Sequence, residues 1–221
     1  MAAFDLEEQE QISSIKAWWT QYGNLVTGGL LAVAVGMAAY QGWNWYQRTE
    51  SLAASATYGR LEKAVVAKDV KSVKEAAGEL LEKHGSTAYA GMGALVSAKV
   101  LFDSGDVKSA HAQLAWAKDH AQDEEIKDLA RLRLAHVMLD EKLQEDALKL
   151  LEKDPVPALA SRFLDLKGDI LVLQGKPELA VKAYQDALAR VDADFPVKSV
   201  DRQPLMKQML QVKLESLGVG Q

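Results

Sequence analysis

The charged residues of this chain are distributed very unevenly, and one gap among them constrains the fold more than any other feature. After Lys16 no Asp, Glu, Lys or Arg occurs until Arg48, although 26% of the 221 residues are charged. Within this gap, Gly23 to Trp43 spans about 20 residues, enough to cross the roughly 30 Å apolar core of a bilayer as a helix. The gap therefore predicts one transmembrane helix near the N-terminus.

Aromatic residues flank the apolar segment at both ends, as is typical of a helix that sits between two headgroup layers. They are Trp18, Trp19 and Tyr22 before it and Trp43, Trp45 and Tyr46 after it. A buried helix of a soluble protein is the first alternative, but such helices rarely combine this length with two aromatic belts. A cleaved signal peptide is the second, since Ala54-Ser-Ala56 resembles a processing site. The acidic N-terminus and the distance of that site from the apolar run favour an uncleaved anchor.

These patterns divide the chain into a short N-terminal segment, 1–20, a signal anchor, 21–47, and a larger domain, 48–221. The orientation is not settled by charge. The N-terminal flank carries Lys16, whereas the other flank carries Arg48, Arg60 and Lys63, so a simple positive-inside count places the large domain in the cytoplasm. Long domains are translocated largely regardless of their charge, which leaves the opposite orientation open.

Residues 48–221 read as helical throughout, because apolar residues recur every three or four positions and no alternating β-branched run occurs. The chain is therefore predicted to be all-α. The predicted helices cover 50–67, 70–84, 87–103, 106–120, 124–141, 144–153, 157–174, 177–190 and 202–217.

A period of about 34 residues runs through these helices. Alanine is followed four residues later by a large apolar residue in Ala76/Leu80, Ala110/Leu114, Ala147/Leu151 and Ala180/Tyr184, at intervals of 34, 37 and 33. Tetratricopeptide repeats have this period, because two helices cross closely at small residues in each hairpin. The pattern predicts a tetratricopeptide-repeat-like helical-hairpin solenoid behind the anchor. A nonrepetitive helical array is the alternative, since alanine is abundant here.

Two surfaces are candidate binding sites. In the anchor, Gly28, Ala32 and Gly36 share one helix face, where a second transmembrane helix could pack closely. In the solenoid, the first helices of the hairpins line the concave face. Counted from Ala98, Ala135 and Gly168, this face comprises Met92, Leu95, Lys99, Leu129, Leu132, His136, Arg162, Asp165 and Asp169. The alternative is that Leu95, Leu129 and Leu132 are core residues between repeats.

Catalytic, metal-binding and cofactor-binding patterns are not found in the sequence. It contains no cysteine, and His84, His111, His120 and His136 lack the spacing of metal ligands. Nucleotide-binding and nucleophile-elbow motifs are absent as well. A net charge of −5 gives no basic excess for nucleic acid. We therefore expect a non-enzymatic protein with no cofactor, no metal and no nucleic-acid partner.

The arrangement resembles a known family. A Glu-rich start leads into Ile15-Lys-Ala-Trp-Trp19, and the anchor closes in Gly42-Trp-x-Trp-Tyr46. The repeat domain contains Leu132-Arg-Leu-Ala-His-Val137 and Leu166-x-Gly-Asp-Ile-Leu171. Together these features, which span the whole chain, are similar to the YfgM-type ancillary subunits of the bacterial Sec translocon.

The resemblance implies a single-pass protein of the bacterial inner membrane with segment 1–20 cytoplasmic and the repeat domain periplasmic. It also implies partners: Sec translocon subunits, periplasmic chaperones and newly exported proteins, which the repeat domain would link. A membrane-tethered repeat scaffold for another envelope process, such as division or outer-membrane assembly, is the alternative function.

Overall fold

A computed structural model describes residues 2–194 and 202–219, with side chains for 10–191 and 204–219. The helices are α1 (Ala2–Val66), α2 (Val70–Lys83), α3 (Ala88–Asp103), α4 (Val107–His120), α5 (Glu124–Asp140), α6 (Gln144–Leu150), α7 (Ala160–Leu173), α8 (Pro177–Asp194) and α9 (Arg202–Ser216), with a 3₁₀ turn at Pro157–Leu159. No strand occurs in these described ranges. The predicted all-α, repeat-like fold is confirmed.

The chain divides into two compact units, Met1–Glu50 and Ser51–Gln221. The prediction of a separate helix starting at residue 50 is wrong, because α1 continues without interruption from Ala2 to Val66. No proline occurs in this stretch, and Gly59 alone does not end a helix. The limits expected for the anchor and its flanks, 1–20, 21–47 and 48–221, stay predictions.

The Ser51–Gln221 unit is built from helical hairpins: the end of α1 with α2, then α3 with α4, α5 with α6, and α7 with α8, followed by α9. Each hairpin reverses at one residue with positive φ, namely Lys68 (56°), Gly105 (85°), Lys142 (64°) and Gly175 (70°). In all four turns this residue's N–H donates to the carbonyl three residues back. The next N–H donates to the carbonyl five residues back. This is the Schellman geometry that ends a helix.

The four turns define the repeat register, and they correct the first copy of the sequence pattern. The positive-φ residues are separated by 37, 37 and 33 residues, rather than by 34, 37 and 33. After each turn, the first helical hydrogen bond is donated by Val73, Ala110, Ala147 and Ala180. Val73, not Ala76, is therefore the equivalent residue in α2. Ala76 is buried as well, so the alanine spacing alone selected the wrong turn of that helix.

Small residues allow the helices to approach closely within and between hairpins. A Cβ on Gly168 of α7 would lie 2.3 Å from the Tyr184 ring of α8, and one on Gly93 of α3 would lie 2.6 Å from Leu80 of α2. Such distances are far inside van der Waals contact, so a side chain at Gly168 would displace the tyrosine ring. Gly168 thus sets the separation of α7 and α8.

Aspartates cap three helices at their N-termini. Asp69 and Asp106 accept hydrogen bonds from the N–H groups of Ser72 and Ser109 at 3.1 Å each, and Asp123 accepts from Glu125 at 2.8 Å. Hydrogen bonds from Lys74 and Ser109 hold the pKa of Asp106 at about 2. The cap therefore stays charged through the neutral range and contributes to stability until the pH falls toward that value.

The third hairpin is shorter than expected, because α6 ends at Leu150 rather than at residue 153. Arg131 of α5, 7% exposed, donates to the carbonyl oxygens of Leu150 and Lys153. Its buried partner Asp128, 2.6 Å away, accepts a 2.7 Å hydrogen bond from the N–H of Val156. The Asp128–Arg131 pair thus terminates α6 and fixes the segment that leads to α7.

Substitution of the turn residues tests the repeat register. Gly175→Ala should lower the free energy of unfolding by about 1 kcal/mol, because a side chain in the left-handed region is strained. Lys142→Ala is the matched control and should change it by less than about 0.5 kcal/mol, since the native lysine already carries that strain. Urea denaturation of the detergent-solubilised full-length protein measures both. Equal effects of the two substitutions would contradict the shared turn geometry.

Candidate functional site

The first helices of three hairpins carry the nine residues predicted to form a concave binding face. Four lie on α3 and α5: Met92 and Leu129 are half-buried, and Lys99 and His136 are exposed. Three lie half-buried on α7: Arg162, Asp165 and Asp169. The remaining two, Leu95 and Leu132, are buried.

Leu95 and Leu132 belong to the core. Leu95 is 7% exposed and packs with Ala98, Leu114 and Leu134. Leu132 is 6% exposed and packs with Ala147, Phe163 and other residues of the third and fourth hairpins. The proposed role of these two side chains as an open apolar contact surface is therefore not supported, and the alternative of core residues between repeats is the better description of them.

A groove does lie beside these residues, on the face formed by α3 and α5. It consists of two cavities of about 600 and 410 Å³. Half of the residues that line the larger one are aliphatic: Val65, Val70, Leu95, Val96 and Val100. The smaller one is lined by Phe102, Leu114, His136, Val137 and Asp140, among others. We call the two cavities together the α3–α5 groove.

Three residues line both cavities of the α3–α5 groove: Lys99, Asp103 and Arg133. Lys99 and Asp103 pair with each other at 2.8 Å. Arg133 donates to the carbonyl oxygen of Leu95 at 3.1 Å. The structure thus brings Lys99 and His136, both predicted groove residues, to one cavity, and it adds Arg133, which the predicted set omitted.

The acidic residues of α7 are engaged by the C-terminal helix and are not an open charged surface. Lys213 of α9 binds Asp165 at 2.6 Å and Asp169 at 2.7 Å. Tyr184 donates to Asp169 at 2.7 Å. Burial raises the pKa of Asp165, and burial together with the Asp169 hydrogen bond raises that of Tyr184. Burial alone would lower the pKa of Lys213, but the hydrogen bonds that its ammonium group donates to both carboxylates raise it.

This cluster holds α9 against α7 and α8. The buried apolar residues Leu210 and Leu214 of α9 pack with Ala187 and Val191 of α8. Asp165 and Asp169 are therefore residues that attach the C-terminal helix, a role that sequence reasoning missed because Lys213 lies more than forty positions away.

In the N-terminal unit, the face that carries Gly28, Ala32 and Gly36 is exposed, and a Cβ on either glycine would meet no neighbour within 4 Å. Of the helices in the described residues, one, over Glu10–Val66, is long and apolar enough to cross a membrane. In the part of this helix before Arg48, large aliphatic side chains such as Leu25 are exposed, as are the aromatic residues Trp18, Trp19, Tyr22, Trp43, Trp45 and Tyr46. An exposed face of small residues and exposed apolar side chains are both typical of a helix surrounded by lipid.

The part of the chain that the structure describes contains no group of three or more His, Asp or Glu side chains arranged to hold a metal ion.

Comparisons with known proteins agree with this architecture. The sequence profile of the tetratricopeptide repeat-like domain matches residues 16–219. Among curated proteins, the ancillary SecYEG translocon subunit of Aggregatibacter actinomycetemcomitans is 26% identical over 97% of this chain and 100% of its own length. The protein of the same name from Haemophilus influenzae is 28% identical over 84% of this chain and 90% of its own length. The one from Neisseria gonorrhoeae is 27% identical over 97% of this chain and 99% of its own length. The resemblance to YfgM-type subunits is confirmed.

Truncation of the buried leucines tests their assignment to the core. Leu95→Ala and Leu132→Ala should each lower the free energy of unfolding by about 2–5 kcal/mol, since each leaves a cavity between repeats. Leu173→Ala, at a leucine that is 60% exposed on α7, is the matched control and should cost less than about 0.5 kcal/mol. Urea denaturation followed by circular dichroism measures all three. If Leu95→Ala or Leu132→Ala lowered the free energy of unfolding as little as Leu173→Ala, the assignment of that leucine to the core would be contradicted and it would belong to the binding surface.

Proposed function

The chain belongs to the tetratricopeptide repeat-like domain family, and from that premise we propose that it is a membrane-anchored, non-catalytic interaction protein of the Sec translocon. The observation that carries the proposal is the extent of its similarity. Relatives named ancillary SecYEG translocon subunit align with 97% of this chain, so the match includes the apolar helix as well as the repeats. A match to the repeats alone would have supported only a general binding module.

In this proposal the segment 21–47 is the transmembrane anchor, residues 1–20 are cytoplasmic and the repeat domain, 48–221, lies in the periplasm of a bacterial inner membrane. The exposed apolar and aromatic side chains of α1 support the anchor. The basic flank after the anchor opposes this orientation. It carries little weight, because the domain behind it is long and folded.

The repeat domain would connect newly exported proteins with periplasmic chaperones. Support comes from the α3–α5 groove, which combines aliphatic walls with charged residues. Such a surface is typical of repeat domains that bind a chain segment through its side chains. The stripe of Gly28, Ala32 and Gly36 would serve as the contact of the anchor with a translocon helix.

The proposed orientation is tested by reporters fused to the C-terminus of the full-length chain. Alkaline phosphatase, which is active only after export, should be active there, and a fluorescent protein that folds only in the cytoplasm should stay dark. The same reporters fused to the N-terminus should give the reverse result. A fluorescent C-terminal fusion would contradict the periplasmic placement and, with it, access to exported proteins.

The proposed partners are tested by photocrosslinking in living cells. A photoreactive residue at Leu25, which lies on the helix face of Gly28, Ala32 and Gly36, should capture translocon subunits. One at Lys99 in the α3–α5 groove should capture exported proteins or chaperones. Gly36→Leu should reduce capture at Leu25 at least fivefold, because leucine prevents close helix approach while it preserves membrane insertion.

Ala34→Leu provides the control for this experiment, since Ala34 is exposed on the opposite side of the same helix. It should leave capture at Leu25 unchanged. If translocon subunits were captured from Lys99 and not from Leu25, the repeat domain rather than the anchor would make the contact. Capture of other envelope proteins from both positions would contradict the association with the translocon.

A further inference from the structure

Arg133 of α5 is placed unusually for a charged residue. Its side chain is half-buried, and it lines both cavities of the α3–α5 groove. Of its five N–H donors, one is used for the carbonyl oxygen of Leu95, at 3.1 Å. No carboxylate among the described residues forms an ion pair with Arg133. Asp103, which lines the same cavities, is paired with Lys99.

The surroundings of Arg133 disfavour an isolated positive charge. Burial and the neighbouring charge of Arg162 lower the pKa of the Arg133 guanidinium. Lys68 and Lys99 add two further positive charges to the larger cavity, against the negative charge of Asp103, and Asp140 adds one negative charge to the smaller cavity. An anion that entered the groove would relieve this repulsion, and it would find unused N–H groups with the fork geometry that suits a carboxylate.

The two cavities determine what kind of anion fits. The larger cavity, on one side of Arg133, has aliphatic walls formed by Val65, Val96 and Val100 among others, and the smaller one presents Phe102 and Leu114. A chain segment that filled both cavities would pass over Arg133 between them. Its carboxylate would therefore lie within the segment, with apolar side chains before and after it, rather than at a chain end.

We propose that the α3–α5 groove binds an extended peptide segment in which one acidic side chain, flanked by apolar residues, is held by Arg133. The inference deepens the proposed function, since it names the class of segment that the repeat domain binds. It does not depend on which translocon subunit the anchor contacts. Lys99 and Asp103 form the rim at the point where the segment crosses from one cavity to the other.

Fluorescence anisotropy tests the proposal with two labelled peptides and the full-length protein in detergent micelles. One peptide carries a single glutamate between two leucine–phenylalanine pairs, and the other carries glutamine in its place. The glutamate peptide should bind about tenfold more tightly, as expected for a charge-assisted bidentate hydrogen bond. The preference should decrease as the salt concentration is raised.

Substitution of Arg133 then locates the preference. Arg133→Met, which keeps an unbranched apolar stem and removes the guanidinium group, should weaken binding of the glutamate peptide about tenfold and leave binding of the glutamine peptide within about twofold. Arg190→Met, at an exposed arginine of α8 outside the groove, is the matched control and should change neither. Wild-type protein that binds the two peptides equally would overturn the proposal, as would an undiminished preference in Arg133→Met.

A second variant covers the case in which Arg133→Met lowers the melting temperature. Val96 is half-buried and lines the larger cavity, so Val96→Trp should fill that cavity and weaken both peptides at least fivefold. Unchanged binding in Val96→Trp would place the peptide elsewhere. Peptide binding and crosslinking of the anchor to translocon subunits are separate measurements, so a failure of this proposal and a failure of the translocon association can be told apart.

Discussion

Close approach of paired helices at small residues is the interaction on which the rest of the repeat domain depends. Ala110, Ala147 and Ala180 are completely buried at equivalent positions of the second helices, and Gly168 admits the ring of Tyr184 where any side chain would collide with it. Because the helices of a hairpin meet at alanine and glycine, larger side chains such as Leu114, Leu134 and Ile170 can fill the space between successive hairpins. Because the helices of each hairpin pack this closely, one side of α3 and of α5 stays uncovered and borders the α3–α5 groove.

Local signals in the sequence predicted most of the fold. Helix limits agreed within a few residues wherever a glycine or a capping aspartate marked them, as at Gly105, Asp106 and Gly175. The register of the first hairpin was wrong because its equivalent position holds Val73, and the alanine spacing selected Ala76, three residues further on. The end of α6 was misplaced for a different reason. It depends on Arg131, which acts on carbonyl groups 19 and 22 residues away.

The candidate site was predicted less completely, since it depends on contacts between distant helices. Spacing along the helices predicted Lys99 and His136 on one face, and both line the smaller cavity. It could not separate Leu95 from them, because a solenoid buries the edge of each first helix against its neighbour. Arg133 was missed since it lies one position from Leu132, outside the expected face, and its exposure to both cavities follows from the way α3 and α5 pack. The ion pairs of Asp165 and Asp169 could not be predicted, because their partner Lys213 lies more than forty positions away.

The Asp128–Arg131 pair has a consequence for how the domain unfolds. At seven residues, α6 is too short to persist as an isolated helix, and the carbonyl group of its last residue, Leu150, is satisfied by Arg131 of α5. The connection to α7 is fixed by the same two side chains through Val156. The folded structure of the middle of the solenoid thus depends on a buried charge pair. Loss of either charge would uncouple the hairpins before α6 from those after it and turn one cooperative transition into two.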